Sequence, residues 1–127
     1  GKELDADKLQ TLFRKALGKD DLTVKLESLA NADLAAMVTE DEQARRFKDM
    51  SRMYGQSFPM PDRFTLVLNR RCPTVQALAA RNADDETTSL LCQQVYDLAR
   101  MAAQPLEAEE ITTFLTRSQK LLELLVK

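Results

Sequence analysis

At 127 residues the chain has the length of one domain, and 44% apolar against 30% charged residues is the composition of a folded globular protein rather than a disordered one. Eighteen basic and twenty acidic residues leave a net charge of −2, without the clustered basic surplus that a nucleic-acid backbone demands. Histidine is absent, which excludes Ser-His-Asp and Cys-His catalysis and imidazole ligation of a metal, and no run of about 18 apolar residues offers a membrane span.

From Asp5 to Leu17, Leu9, Leu12, Phe13, Ala16 and Leu17 recur at helical spacing, with Asp5 or Asp7 as cap and Gly18 as stop. Leu22, Val24 and Leu26 then alternate with Thr23, Lys25 and Glu27, the pattern of a strand with one wet face. The short apolar run Leu34 to Val38 is expected to pair beside it. Thr39-Glu40-Asp41-Glu42 reads as a capping box that starts a helix running to Tyr54, where Gly55 ends it. Pro59 and Pro61 mark the following loop, and Phe64 to Asn69 predicts a central strand around Leu66-Val67-Leu68. Pro73 opens a short helix to about Arg81.

From Asp84 the character changes to two long helices, Glu86 to Ala103 and Ala108 to Val126, broken at Gln104-Pro105. The expected fold class is α/β of the α+β kind: a small sheet with packed helices, then a C-terminal helical hairpin. The chain reads as a single domain over 1–127, with an α/β unit over 1–83 and dimerisation helices over 84–127.

Little in the sequence carries chemistry. Gly1, Gly18 and Gly55 are too far apart for a phosphate loop, and Cys72 and Cys92 are isolated, so neither a zinc site nor a disulfide framework is indicated. A reducing cytoplasm is the simplest compartment for such cysteines. The basic stretch Arg45, Arg46, Lys48 and Arg52 is interrupted by Asp49 and preceded by acids, and reads as a solvated helix face. Acidic residues fall mostly at helix starts, where they support the helix dipole. No catalytic, cofactor-binding or metal-binding residue is expected. The start, Gly1-Lys2-Glu3, lacks methionine and any signal-peptide pattern, and reads as a cut end.

Two surfaces stand out. On the helix from Glu40 to Tyr54, Gln43, Phe47, Met50, Met53 and Tyr54 share one side. Such a stripe fits either a core face or an adaptable apolar contact surface, which flexible methionines favour; Met53 is expected at its inner, more buried edge. The last helix carries Ile111, Phe114, Leu115, Ser118, Leu121, Leu122 and Leu125 along one stripe, and its predecessor presents Leu91, Val95, Leu98, Ala99 and Ala102. One subunit has little to bury all of this against, so a two-fold contact in which each chain gives two helices to a four-helix bundle is expected. The alternative is a monomer with the hairpin folded onto the α/β unit.

Two stretches resemble the ninety-kilodalton heat-shock chaperone family, its bacterial HtpG branch in particular. One is Thr39-Glu40-Asp41-Glu42-Gln43-Ala44-Arg45-Arg46, continuing through Met50 to Met53-Tyr54-Gly55; the other is Leu66-Val67-Leu68-Asn69 followed by Pro73 and Val75. The order of elements fits as well, so the resemblance covers essentially the whole chain.

The resemblance implies the C-terminal domain of a stress-response chaperone that assists protein folding. Its last helices hold two protomers together, with Leu91, Val95, Leu98, Ile111, Phe114, Leu115, Ser118, Leu121, Leu122 and Leu125 at the interface. It also implies that Phe47, Met50, Met53 and Tyr54 contact unfolded client proteins, although Gln43 and Ser51 are polar where the bacterial relative has apolar residues. ATP and magnesium belong to the family's N-terminal domain, so this chain is expected to be neither an ATPase nor a nucleotide binder. The chain stops at Leu125-Val126-Lys127 without the acidic Met-Glu-Glu-Val-Asp tail of eukaryotic members, and TPR co-chaperones are not expected partners. The competing readings are a monomeric adaptor or regulatory domain and, from a third class, a carboxylate-dependent hydrolase.

Overall fold

The computed structural model describes residues 4–40, 46, 50, 53, 55 and 64–127. The first helix, α1 (Ala6–Leu17), is capped by the Asp5 carboxylate, which accepts from the backbone N–H of Asp7 at 3.0 Å and Lys8 at 3.2 Å. Gly18 closes it in the left-handed conformation, φ 65°, which costs a residue without Cβ nothing. Three strands follow: β1 (Thr23–Glu27), β2 (Ala36–Glu40) and β3 (Phe64–Asn69). They form one mixed sheet in the order β1-β3-β2, with β3 parallel to β1 and antiparallel to β2. Then come α2 (Pro73–Ala79), α3 (Glu86–Ala103) and α4 (Ala108–Val126). The class is α+β, as the sequence predicts, and β3 is central.

Two expectations are corrected. The run beginning at Leu34 does not pair beside β1; Ala36 to Glu40 pairs with β3 from its other side, because β3 brings the more apolar ladder to both neighbours. Nor does a helix begin at Glu40: Thr39 lies opposite Thr65 and Glu40 opposite Phe64, so cross-strand pairing overrides the local capping signal. Further on, Arg46, Met50 and Met53 are helical and Gly55 has φ 64°, as a helix ending there requires. The rest of that predicted helix, Phe47 and Tyr54 included, lies outside the described residues, as does the loop with Pro59 and Pro61.

The core lies between one face of the sheet and the helices. Leu9, Leu12 and Phe13 of α1 meet Val24, Val38, Leu66 and Leu68 of the strands, Val75 and Leu78 of α2, and Cys92, Val95, Tyr96 and Ala99 of α3. Thus α3 belongs to the body of the domain, and the packing boundary within the hairpin falls between α3 and α4. Val67 points to the opposite face of the sheet and is buried too.

At the end of β3, the fully buried Asn69 ties down the segment between β1 and β2. Its Oδ1 accepts from the N–H of Leu29 at 3.0 Å and Arg71 at 3.1 Å, while its Nδ2 donates to the carbonyls of Asn31 at 2.9 Å and Leu34 at 2.7 Å. Arg71 adds Nη1 hydrogen bonds to the carbonyls of Leu29 and Ala30, both at 2.9 Å. This holds Leu34 and Ala35 in a fixed position beside α3.

Candidate interaction surface

Helix α4 packs on α3 through a polar seam. Lys120 Nζ meets Glu86 Oε1 at 3.0 Å, Gln94 Nε2 donates to Ser118 Oγ at 2.8 Å, and Arg117 Nη2 meets Asp97 Oδ2 at 2.9 Å. At the turn, Arg100 Nη1 lies 2.5 Å from Glu110 Oε2 and 3.6 Å from Asp97 Oδ1. Glu110 also completes a reciprocal cap with Glu107 that starts α4. The Arg100 hydrogen bond is the chief reason that the Glu110 carboxyl sits below the ordinary glutamate range. The buried Nε atoms of Arg100 and Arg117 have no hydrogen-bond partner among the described residues, so the seam is incompletely satisfied.

The consequence for α4 is unusual. Its one buried side chain is Arg117, whereas Ile111, Leu115, Leu122, Leu125 and Val126 are exposed, Leu125 at 80%. At 100° per residue, Ile111, Leu115, Ser118, Leu122 and Leu125 form a stripe, and Arg117 and Glu110 lie about 100–120° from its centre. Phe114 and Leu121 fall between stripe and seam, and are half-buried. On α3, Leu91 is half-buried and Leu98 is exposed. Gln94, which reaches Ser118, is three residues after Leu91 and four before Leu98, while Ser118 is three after Leu115 and four before Leu122. That single hydrogen bond therefore stands between the two apolar rows and places them on one face of the hairpin.

Of the residues expected at the subunit contact, Leu98, Ile111, Leu115, Leu122 and Leu125 are exposed, and Leu91, Phe114, Ser118 and Leu121 are half-buried. Val95 is the exception, buried in the core because it faces the sheet. Of the residues expected to meet clients, Met50 and Met53 are exposed, at 55% and 83%. Met53 is thus the more open of the pair rather than the inner edge of the stripe. Phe47 and Tyr54 lie outside the described residues.

Beside the hairpin face, an apolar groove of about 480 Å³ opens between Asp33–Ala36 and α3, with Leu34, Leu91, Val95 and Leu98 in its walls. Sequence reading did not find this groove, since it depends on Asn69 and Arg71 placing a distant loop. A smaller pocket of about 330 Å³ at the seam is lined by Asp97, Glu109, Glu110, Thr113 and Arg117, acids and a base together. Burial pushes the Cys92 thiol up to about 12, the state of a core cysteine rather than a nucleophile. Among the described residues no His, Cys, Asp and Glu cluster could hold a metal ion, and no helix is long and apolar enough to cross a membrane. No family model matches the chain, and no curated protein matches it.

Proposed function

We propose that this chain is the C-terminal dimerisation and client-contact domain of an ATP-dependent chaperone of the ninety-kilodalton heat-shock type. Its work is protein folding under stress in a reducing cytoplasm. The observation that carries the reading is the α3–α4 face: a helix whose only buried side chain is an arginine turns Ile111, Leu115, Leu122 and Leu125 outward. Contiguous exposed apolar surface of this kind marks an interaction site. A second copy of the hairpin supplies a matching apolar face, giving an isologous four-helix contact. The exposed Met50 and Met53 support the second half of the reading, a soft surface that repacks against varied unfolded chains. On this reading ATP and magnesium are bound by a separate domain.

Magnitudes set a condition on the dimer. Weighted by their exposed fractions and counted in both copies, the four α4 residues gain on the order of 7–14 kcal/mol on burial. Association costs about 4–15 kcal/mol in lost freedom. The α4 stripe alone gives a weak contact, and a tight dimer requires further apolar surface beside it.

Light scattering over a dilution series tests the reading. A mass near twice 14.4 kDa at micromolar concentration is expected, falling to one chain in Leu122→Glu with an unchanged circular dichroism spectrum. A mass of one chain throughout would instead favour a monomeric adaptor domain.

A further inference from the structure

The groove between Asp33–Ala36 and α3 is walled by Leu34, Leu91, Val95 and Leu98, and its loop side is pinned by Asn69, so it is preformed. Exposed Asp33 stands beside it and makes no ion pair among the described residues. Elsewhere on the chain an exposed apolar helix end is found. Lys120 pairs with Glu86, the first residue of α3, so the end of α4 runs past α3 with Leu122, Leu125 and Val126 exposed and Lys127 following them.

The groove cannot receive the α4 end of its own chain. Its walls on α3 run from Leu91 to Ala99, centred nine residues, or about 14 Å, from Glu86, and the end of α4 points away from them. A second copy meets the geometry. The middle of the α4 stripe is Ser118, a small residue that allows close helix approach. A two-fold axis there lays two α4 helices antiparallel, so the end of one comes level with Ile111 of the other. Across the hairpin, Ile111 follows Glu110, which pairs with Arg100, so it stands level with the Leu98–Ala99 edge of the groove.

We infer that the groove beside Leu34 and Leu98 receives Leu125 and Val126 of a second copy, with Lys127 of that copy meeting Asp33. The inference rests on the dimer reading above and supplies the additional apolar surface which that reading requires. Two-fold symmetry repeats the contact, so each dimer contains it twice.

Disulfide trapping between differently tagged chains provides the test, combined with light scattering. One chain carries Leu34→Cys and the other Leu125→Cys; Leu34 is already exposed, and native Cys72 and Cys92 are buried, so background linkage is low. Mild oxidation of the mixture should give a linked pair of unlike chains, well above the level seen with either variant alone. Asp33→Lys should raise the dimer dissociation constant about fivefold or more, and adding Lys127→Asp to the same chain should reverse most of that loss. A two-chain mass with no mixed linkage and no response to Asp33→Lys overturns the groove inference and leaves the dimer standing. A one-chain mass at every concentration overturns both.

Discussion

Arg117 of α4 and Asp97 of α3 form a buried ion pair at 2.9 Å, with side chains only 8% and 13% exposed, in a helix that buries no other side chain. Two charges taken out of water are attracted strongly to each other, yet their desolvation cancels much of the gain. The pair therefore fixes how α4 lies on α3 more than it stabilises the fold. By holding Arg117 inward it turns the Ile111–Leu125 stripe outward.

That account predicts a non-additive mutant cycle. Asp97→Ala strands the Arg117 guanidinium in a buried site and should destabilise the chain by ~3–5 kcal/mol. Arg117→Met alone should cost a similar amount. Asp97→Leu with Arg117→Met replaces the pair by apolar contacts, and should lie within about 1 kcal/mol of the parent or above it. Denaturant unfolding of the four proteins reads the coupling. Additive single and double losses would mean that the two residues do not act as a pair.

A second expectation concerns pH. The Glu110 carboxyl is held below its ordinary range, first by the Arg100 hydrogen bond and then by the N–H of Glu107. A group with a depressed folded-state pKa contributes fully above its unfolded value and loses that contribution as pH falls through the folded value. Seating of the first turn of α4 should therefore be insensitive from neutral pH down to the ordinary glutamate range, and weaken below it. Glu110→Gln should flatten that acid limb in amide hydrogen exchange of residues 107–112. Because Glu110 is partly exposed, the effect should also shrink at high salt.

The three long helices were legible from the sequence because each combines 3.6-residue periodicity with a cap or break: Asp5 and Gly18 around α1, Asp85 before α3, and Gln104-Pro105 before α4. Strand order was not legible. Parallel pairing of Val24 with Leu66 spans a separation that no local pattern encodes, and Thr39-Glu40 reads as a helix start until Thr65 and Phe64 are placed opposite. The seam was hidden for a different reason. Gln94, Asp97 and Arg100, three apart on one side of α3, look like a solvated face, and only Arg117 and Glu110 of the next helix reveal them as a contact. Their regular spacing beside the Leu91–Leu98 row was the available signal.

Asn69 offers a test of how the loop is held. Asn69→Ala removes four hydrogen bonds and leaves the N–H of Leu29 and Arg71 and the carbonyls of Asn31 and Leu34 without that partner. Asn31, Leu34 and Arg71 are exposed residues whose freed backbone groups water can reach in part, so the expected loss is ~2–4 kcal/mol. Exchange of the Leu29 amide should accelerate more than that of Val24 in β1. Equal acceleration at both would indicate global unfolding rather than release of the loop.

The methionine surface can be separated from core by magnitude alone. Truncating a buried methionine to alanine costs about 2–5 kcal/mol, a large share of a single domain's stability. Met50 and Met53 are 55% and 83% exposed, so Met50→Ala and Met53→Ala should each change stability by no more than about 0.5 kcal/mol. Binding should respond differently, since apolar contact made only with a partner is lost in full when the thioether is removed. On the proposed chaperone function, the double substitution should weaken the protein's suppression of client aggregation while leaving the mass and melting temperature of this domain unchanged. Met53→Ala should account for more of the effect than Met50→Ala, in keeping with its greater exposure. Unaltered suppression by a folded double variant would remove these two residues from the proposed client surface.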